Sequence, residues 1–250
     1  MKKFFALFYY QFLLSCRVPE SIFFTILLSP ILFIIFGFAF HIDTEYAEFF
    51  LPGIIGSMVC SDALYAVGPV IKKYYSLNIV KYFYNYPVKL PYLFMGFIAA
   101  RIIFILFSML LLIAVSYFIF GFSPNIGTLC RYILGIFLIF TIYSFVGLSI
   151  SLWGLHDNKD QGVIGLYYML TIFLSDCFFV LTKANVVFDI IGYFFPLRCV
   201  LDFIRGSNII LWYCIAWVIA LFVGFAYIIK RISFKRWIMK KNILSLLLLG

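Results

Sequence analysis

Six long apolar stretches, separated by polar or Pro- and Gly-rich joints, make up most of the chain. About 20 mostly apolar residues cross a bilayer core as a helix. A transmembrane β-barrel would require segments of about ten residues with alternating polarity, and the sequence shows none. Helices remain, because each helix pairs its own backbone groups in lipid. We predict an all-α integral membrane protein in which residues 1–250 form one transmembrane domain. The six predicted spans are residues 21–41, 50–71, 92–120, 129–152, 162–181 and 209–229.

Basic residues concentrate on one side of these spans. The ends of the chain and the joints after spans two and four hold most of its 19 Lys and Arg residues. The joint between spans one and two carries Asp43, Glu45 and Glu48 and no basic residue. Because cytoplasmic loops are enriched in Lys and Arg, we predict a multi-pass plasma-membrane protein with both termini cytoplasmic. The net charge of +9 reflects this topology, so nucleic acid is not an expected partner.

The two ends of the chain have interfacial character. In residues 1–20, four phenylalanines recur at helical spacing before Pro19, which predicts an interfacial helix on the inner surface, although a frayed terminus is an alternative. Residues 230–250 begin with a basic segment that we expect to lie against anionic lipid, and the apolar end of this tail has no assigned role.

The sequence lacks the usual signatures of catalysis. It contains no Gly-rich phosphate loop, no Cys or His cluster of metal-ligand spacing, and no serine-nucleophile motif. Its two histidines, His41 and His156, lie on opposite predicted sides of the membrane. We therefore expect no catalytic residue, bound metal or cofactor, and a membrane enzyme acting on lipids is the weakest alternative. The six cysteines form no CxxC pair, and a Cys130–Cys199 disulfide cannot be established from sequence.

Three ionisable residues fall inside predicted spans: Asp62, Arg101 and Asp176. Charges within a membrane are costly and commonly mark a functional site. Arg101 is interpreted either as functional or, as the leading alternative, as snorkelling or pairing with a carboxylate for structural reasons. Asp62 and Asp176 are interpreted either as facing a polar cavity or as structural.

Two joints are unusual. Residues 72–91 are rich in aromatics, and a short amphipathic helix over residues 77–84 would end before Pro87. Its aromatics would be buried by a docked partner or would lie among lipid headgroups. Residues 183–208 are too apolar for a simple turn, yet the pieces around Pro196 are too short to cross the bilayer. An extracellular re-entrant hairpin broken at residues 192–196 fits this pattern, whereas the helix over residues 77–84 is predicted to be cytoplasmic.

Several weak local motifs occur in a consistent order along the chain. They are Arg17-Val18-Pro19, Phe49-Phe50-Leu51-Pro52-Gly53, Tyr86-Pro87-Val88 followed by Gly96 and Arg101, and Phe195-Pro196-Leu197 followed by Leu201 and Arg205. Together with the predicted elements, they resemble the permease subunit of a type 2 ABC transporter. One departure is residues 78–81, where many members carry a Gly-Thr-x-Glu-like stretch, so the polar contacts of the docking helix must differ.

The resemblance implies a transport assembly. Two permease chains, identical or different, would pair around a pathway with spans two and five facing across it. Each would dock on one of two copies of an ABC ATP-binding subunit, which would hold ATP and Mg. The docking coupling helix would use Leu77, Val80, Lys81, Phe83 and Tyr84. The substrate pathway would include Asp62, Tyr65, Tyr168, Phe173 and Asp176. The hairpin would include Gly192, Phe195, Pro196 and Arg198.

The cargo is predicted from aromatic content and the same resemblance. Aromatic residues make up 22% of the chain, which suggests an apolar or amphipathic cargo. The chain is similar to peptide exporters of Gram-positive bacteria, such as those for phenol-soluble modulins and lantibiotics, so a peptide toxin or bacteriocin is the leading expectation. Export of drugs or lipid-linked glycans remains open. A proton-coupled secondary transporter or channel, with Asp62 and Asp176 as relay groups, is a further alternative.

Overall fold

Helices are the regular elements of the residues that the computed structural model describes. Those residues are 2–17, 23–39, 44–76, 90–153, 160–179, 190–206, 212–221 and 223–224. Two π-helical segments, Phe23–Leu27 and Ala63–Val67, interrupt the α-helical pattern. The α-helices are α1 (Lys2–Cys16), α2 (Leu28–Ala39), α3 (Thr44–Asp62), α4 (Gly68–Ser76), α5 (Leu90–Phe120), α6 (Ile126–Trp153), α7 (Asp160–Leu174), α8 (Pro196–Ile204) and α9 (Trp212–Leu221).

Three described helices are long and apolar enough to cross a membrane. They cover Tyr46–Lys73, Met95–Phe120 and Ile126–Ser151, and they coincide with predicted spans two, three and four. Shorter apolar helices at Thr25–Ala39, Asp160–Leu174 and Trp212–Leu221 fall at predicted spans one, five and six. The structure therefore supports a multi-pass membrane protein, while the count of six spans stays a prediction.

The helix of predicted span five ends earlier than hydropathy suggested. The prediction ran to residue 181, but α7 stops at Leu174, and a turn follows in which Asp176 has φ +51°. Asp tolerates this left-handed conformation better than most residues. Arg205 donates a 2.9 Å hydrogen bond to the Asp176 carbonyl, so a distant side chain holds the turn that follows α7.

The continuous rod formed by α3, the second π-helical segment and α4 lies at the centre of the bundle. It packs against α6 along most of its length, and also against α2, α5, α7 and α8. In its most apolar stretch 67% of the residues are buried, against 33% in α5. A Cβ atom added to Gly68 would lie 2.4 Å from the carbonyl oxygen of Gly147, so the rod and α6 meet backbone to backbone here.

The amino-terminal helix α1 packs along α5. The rings of Phe12 and Phe104 stack with centroids 5.0 Å apart. Phe104 lies about 20 Å from the first residue of α5, measured along the helix axis. The contact between α1 and α5 therefore extends to the middle of α5. Gln11 of α1 is buried among the helices. The predicted interfacial location of α1 stays a prediction, but its packing against the bundle is clear.

Candidate substrate cavity

A buried ion pair joins the central rod to α5. Arg101 Nε lies 3.0 Å from Asp62 Oδ2, and Arg101 Nη2 donates to the other oxygen of the same carboxylate. Thr25 completes the group: its hydroxyl donates to Asp62 Oδ1 at 3.0 Å and accepts from Arg101 Nη2 at 3.3 Å. Asp62 and Arg101 are only 6% and 8% exposed. Two-point pairing with a shared hydroxyl makes a buried charge pair tolerable.

Both π-helical segments lie at this ion pair. Thr25 is inside the Phe23–Leu27 segment, and Asp62 directly precedes Ala63–Val67. Single π-helical turns are uncommon and occur frequently at functional sites. Neither segment contains a residue pattern that would have predicted it. Local helix geometry therefore singles out the region that the intramembrane charges had already made a candidate.

A cavity of about 400 Å³ opens beside the ion pair. It lies between α1, the first π-helical segment with α2, the central rod, α5 and α7. Its polar lining comprises Gln11, Ser15, Thr25, Ser29, Ser57, Ser61, Asp62, Tyr65, Arg101 and Tyr168. Its apolar lining comprises Leu14, Leu28, Leu32, Ile54, Met58, Ala66, Val70, Phe97 and Phe178. Such a mixed surface can hold an amphipathic molecule, and ligand sites of about 300–1,000 Å³ are typical.

The structure brings three of the predicted pathway residues together and separates two. Asp62, Tyr65 and Tyr168 line the cavity. The rings of Tyr65 and Tyr168 meet edge to face at 5.9 Å. Phe173 is 60% exposed on α7 and does not line the cavity, and Asp176 belongs to a different cluster. A pathway role for any of them stays a prediction.

Polar cavity residues that the sequence reasoning did not single out are Gln11, Ser15, Thr25, Ser29, Ser57 and Ser61. Gln11 carried a usable signal, since it is an amide side chain in a helix made mostly of aromatic and aliphatic residues. The hydroxyl residues carried little, because Ser and Thr in apolar helices often bond their own backbone. Thr141 and Thr171 do so, donating to the carbonyl four residues earlier.

A second ion pair links the far end of the rod to the start of α7. Lys72 Nζ lies 2.9 Å from Asp160 Oδ1, and both side chains are largely buried. Lys72 is in α4, at the first position of the predicted coupling loop of residues 72–91, and Asp160 is the first residue of α7. The opposite end of the bundle, where Glu48 lies near the start of α3, is called the Glu48 end below.

The described part of the predicted hairpin is built around α8. Phe195 is extended before the helix, and Pro196 opens it, a position where its missing N–H has no intrahelical role. The backbone N–H of Leu197 donates to the Tyr143 hydroxyl at 3.1 Å, so α6 caps α8. A Cβ atom added to Gly192 would meet Arg198 Nη1 at 2.5 Å.

Arg198 forms the charged centre of the same region. Its Nε lies 3.9 Å from carboxylate oxygens of both Asp176 and Asp202, and its guanidinium lies 4.3 Å from the Tyr193 ring centroid. The cluster therefore ties α8 to the turn after α7. Residues 180–189 lie outside the described residues, so the re-entrant form of the hairpin stays a prediction.

The amino-acid sequence matches one known family over most of its length. The model of that family, described as ABC-2 type transporter, covers residues 2–209. The chain belongs to the ABC-2 type transporter family. No curated protein matches it significantly.

Membership establishes the general role of this ABC-2 permease. It is the membrane-spanning transport component of an ABC transporter and not a catalytic subunit, and the family implies an ATP-binding partner. Among the described residues, no group of three His, Cys, Asp or Glu side chains could hold a metal ion. The five predicted docking residues, Leu77, Val80, Lys81, Phe83 and Tyr84, lie outside the described residues.

Proposed function

We propose that this ABC-2 permease forms the membrane half of an exporter for hydrophobic or amphipathic cargo, most specifically a peptide toxin or bacteriocin. The observation that carries the proposal is the mixed cavity, in which an apolar wall faces hydroxyl, amide and charged groups. An amphipathic helix offers the complementary pair of faces. Cargo would enter this cavity and leave at the Glu48 end, which the charge pattern predicts to be extracellular.

The proposed assembly contains two permease chains and two ATP-binding subunits in the plasma membrane of a Gram-positive bacterium. The chain would bind neither ATP nor Mg, which would belong to the partner. Docking would use the predicted helix over residues 77–84. The Lys72–Asp160 ion pair supports this arrangement, because it would carry a displacement at the base of that loop to α7, which forms a cavity wall.

The arrangement of carboxylates argues against a proton-coupled mechanism. Asp62 is engaged by Arg101 and Thr25, whereas Asp176 lies with Arg198 and does not line the cavity. A relay requires groups that exchange protons along one route. The two aspartates occupy separate clusters on different elements, so ATP-driven export is the better-supported function.

The cargo proposal is tested by filling the cavity. Ser61→Phe places a ring in the cavity, and we expect it to abolish ATP-dependent uptake of a fluorescent amphipathic helical peptide into inside-out proteoliposomes containing the permease and its ATPase. Ala114→Phe on the exposed face of α5 is the matched control and should leave uptake unchanged. The ATPase should copurify with both variants.

Peptide uptake unaffected by Ser61→Phe would overturn the cavity assignment. Uptake driven by a pH gradient without ATP would overturn the ATP-driven mechanism.

A third variant, Val80→Asp with Phe83→Asp, tests docking: we expect the permease to lose the ATPase on purification. Retained binding and uptake would rule out residues 77–84 as the docking helix.

A further inference from the structure

A second, smaller cavity lies at the Glu48 end, where α3 and α6 begin and α8 ends. Its volume is about 290 Å³, and its polar lining consists of Glu48, Thr128, Arg131, Tyr132 and Arg205. None of these residues belongs to the candidate substrate cavity. Helices that cross a bilayer begin at headgroup level, so this cavity lies where phosphates occur.

Arg205 is held at this cavity through its Nη2 atom, and its Nε donor is unused. Its Nη2 donates to the carbonyls of Phe49 at 3.2 Å and Asp176 at 2.9 Å. Its guanidinium also lies 3.7 Å from the centroid of the Phe49 ring. Its Nε, however, is buried and has no hydrogen-bond partner. Burial lowers the pKa of this guanidinium from its ordinary value, so an anion beside it would relieve an incompletely compensated charge.

Tyr132 supplies a second unused donor. Its side chain is 1% exposed, and its hydroxyl has no hydrogen-bond partner. A buried hydroxyl without a partner costs free energy, which a ligand in the cavity would recover. Tyr132 and Arg131, both on α6, line this cavity, so the buried hydroxyl belongs to the same site as a second guanidinium.

The turn after α8 is shaped to admit Arg131. Gly206 has φ +121°, a backbone conformation that residues other than glycine rarely adopt. A Cβ atom added there would lie 3.1 Å from Arg131 Nη1. Glycine therefore serves two needs at this position: it closes the turn and leaves room for the guanidinium. Arg131 and Arg205 consequently approach the cavity from two different elements.

The wall formed by the start of α3 offers acceptors. Glu48 contributes a carboxylate, and Pro52, four residues later, has no N–H for the Glu48 carbonyl. With two guanidiniums and one carboxylate, the cavity carries a net positive charge. A ligand that fits both walls has an anionic group and an attached hydroxyl or amine, as a phospholipid headgroup does.

We propose that this cavity binds a phosphate group, held between Arg131 and Arg205 with the Tyr132 hydroxyl as a further donor. Two guanidiniums and a neutral hydroxyl are donors that phosphate oxygens accept readily. Glu48 accepts from the hydroxyl or amine of the attached headgroup. The site does not depend on which cargo the permease carries.

Binding is measured on the full-length permease after delipidation in a phosphate-free maltoside detergent. Short-chain phosphatidylglycerol, the matching diacylglycerol and inorganic phosphate are titrated separately, with affinity from native mass spectrometry and apparent melting temperature as readouts. We expect phosphatidylglycerol, and not diacylglycerol, to bind and to raise the melting temperature. Arg131→Gln and Tyr132→Phe should each weaken binding roughly tenfold, because each removes a hydrogen bond to a charged group.

Matched controls are Arg17→Gln and Tyr117→Phe, which make the same chemical changes at exposed positions away from the cavity. Both should leave the affinity unchanged. Binding of phosphatidylglycerol alone identifies a lipid headgroup, and equal binding of inorganic phosphate identifies a soluble source; both support the phosphate site. Absence of phosphatidylglycerol and phosphate binding, or binding equally affected by cavity and control variants, overturns it.

Discussion

At the scale of single residues, the Asp62–Arg101 ion pair explains how two charges are accommodated among apolar helices. Each charge is the principal compensation for the other, and Thr25 supplies a hydroxyl to both. Removal of one partner would leave a largely buried charge without its counter-charge. Such uncompensated charges are among the largest sources of destabilisation in proteins.

Arg101→Leu is therefore expected to lower the free energy of unfolding by about 3–5 kcal/mol. The double variant Asp62→Asn with Arg101→Leu should recover most of this loss, because no isolated charge remains. Denaturant titration of the purified variants measures both effects. Arg17→Leu, which removes an exposed Arg, should change stability by less than about 0.5 kcal/mol. Additive losses in the double variant would show that the two residues do not act as a pair.

Sequence reasoning located these charges but could not assemble their environment. Asp62 and Arg101 stand out because ionisable residues are rare within apolar spans. Thr25 does not stand out, since its hydroxyl could equally bond its own backbone. Its role follows from the π-helical turn that contains it and from packing between elements far apart in the chain, neither of which has a local sequence signal.

At the scale of elements, the packing of the central rod on α6 depends on backbone contact. At Gly68 even a single methyl group would lie 2.4 Å from a backbone oxygen, which cannot move aside as a flexible side chain can. Gly162, near the start of α7, has no heavy atom within 4 Å of the equivalent position. The same substitution at these two glycines therefore separates packing from helix propensity.

We expect Gly68→Ala to destabilise the permease by about 1–3 kcal/mol through overpacking. Gly162→Ala should stabilise it by up to about 1 kcal/mol, since Ala is favoured over Gly inside helices. Apparent melting temperatures of the two purified variants should shift in opposite directions. A fall of similar size in both would mean that the close contact between the rod and α6 is not limiting.

The sequence predicts the ends of a helix correctly only where a long apolar run alone determines them. The predicted spans three and four differ from the cores of α5 and α6 by a few residues, because long apolar runs leave no other choice in lipid. The end of α7 could not be predicted. The turn that follows α7 is held by Arg205, 29 residues further along the chain from Asp176, which donates to the Asp176 carbonyl.

At the scale of the whole molecule, the exposed cysteines of the chain make it possible to test how the permease is oriented in the membrane. All six are free thiols; Cys16 and Cys130 are exposed, and the other four are buried. Cys16 ends α1, which the charge pattern places in the cytoplasm. Cys130 lies in the first turns of α6, at the predicted extracellular end. The two exposed thiols therefore lie on opposite predicted sides of the membrane.

A membrane-impermeant maleimide added to intact cells should label the permease at Cys130, and labelling should disappear in Cys130→Ser. Labelling at Cys16 should appear only after permeabilisation, as judged by its loss in Cys16→Ser. Mass spectrometry of tryptic peptides identifies the modified residue in each case. The reverse pattern would invert the topology, and with it the assignment of the Glu48 end to the extracellular side.

The position of α1 has a consequence for how such a permease diversifies. Because Gln11, Leu14 and Ser15 form part of the cavity surface, the amino-terminal helix is a wall of the chamber. Under the proposed function, selection on cargo acts on the first 16 residues as directly as on the membrane helices. A duplicated gene could thus acquire a new cargo through changes confined to the segment that encodes α1, leaving the rest of the bundle intact.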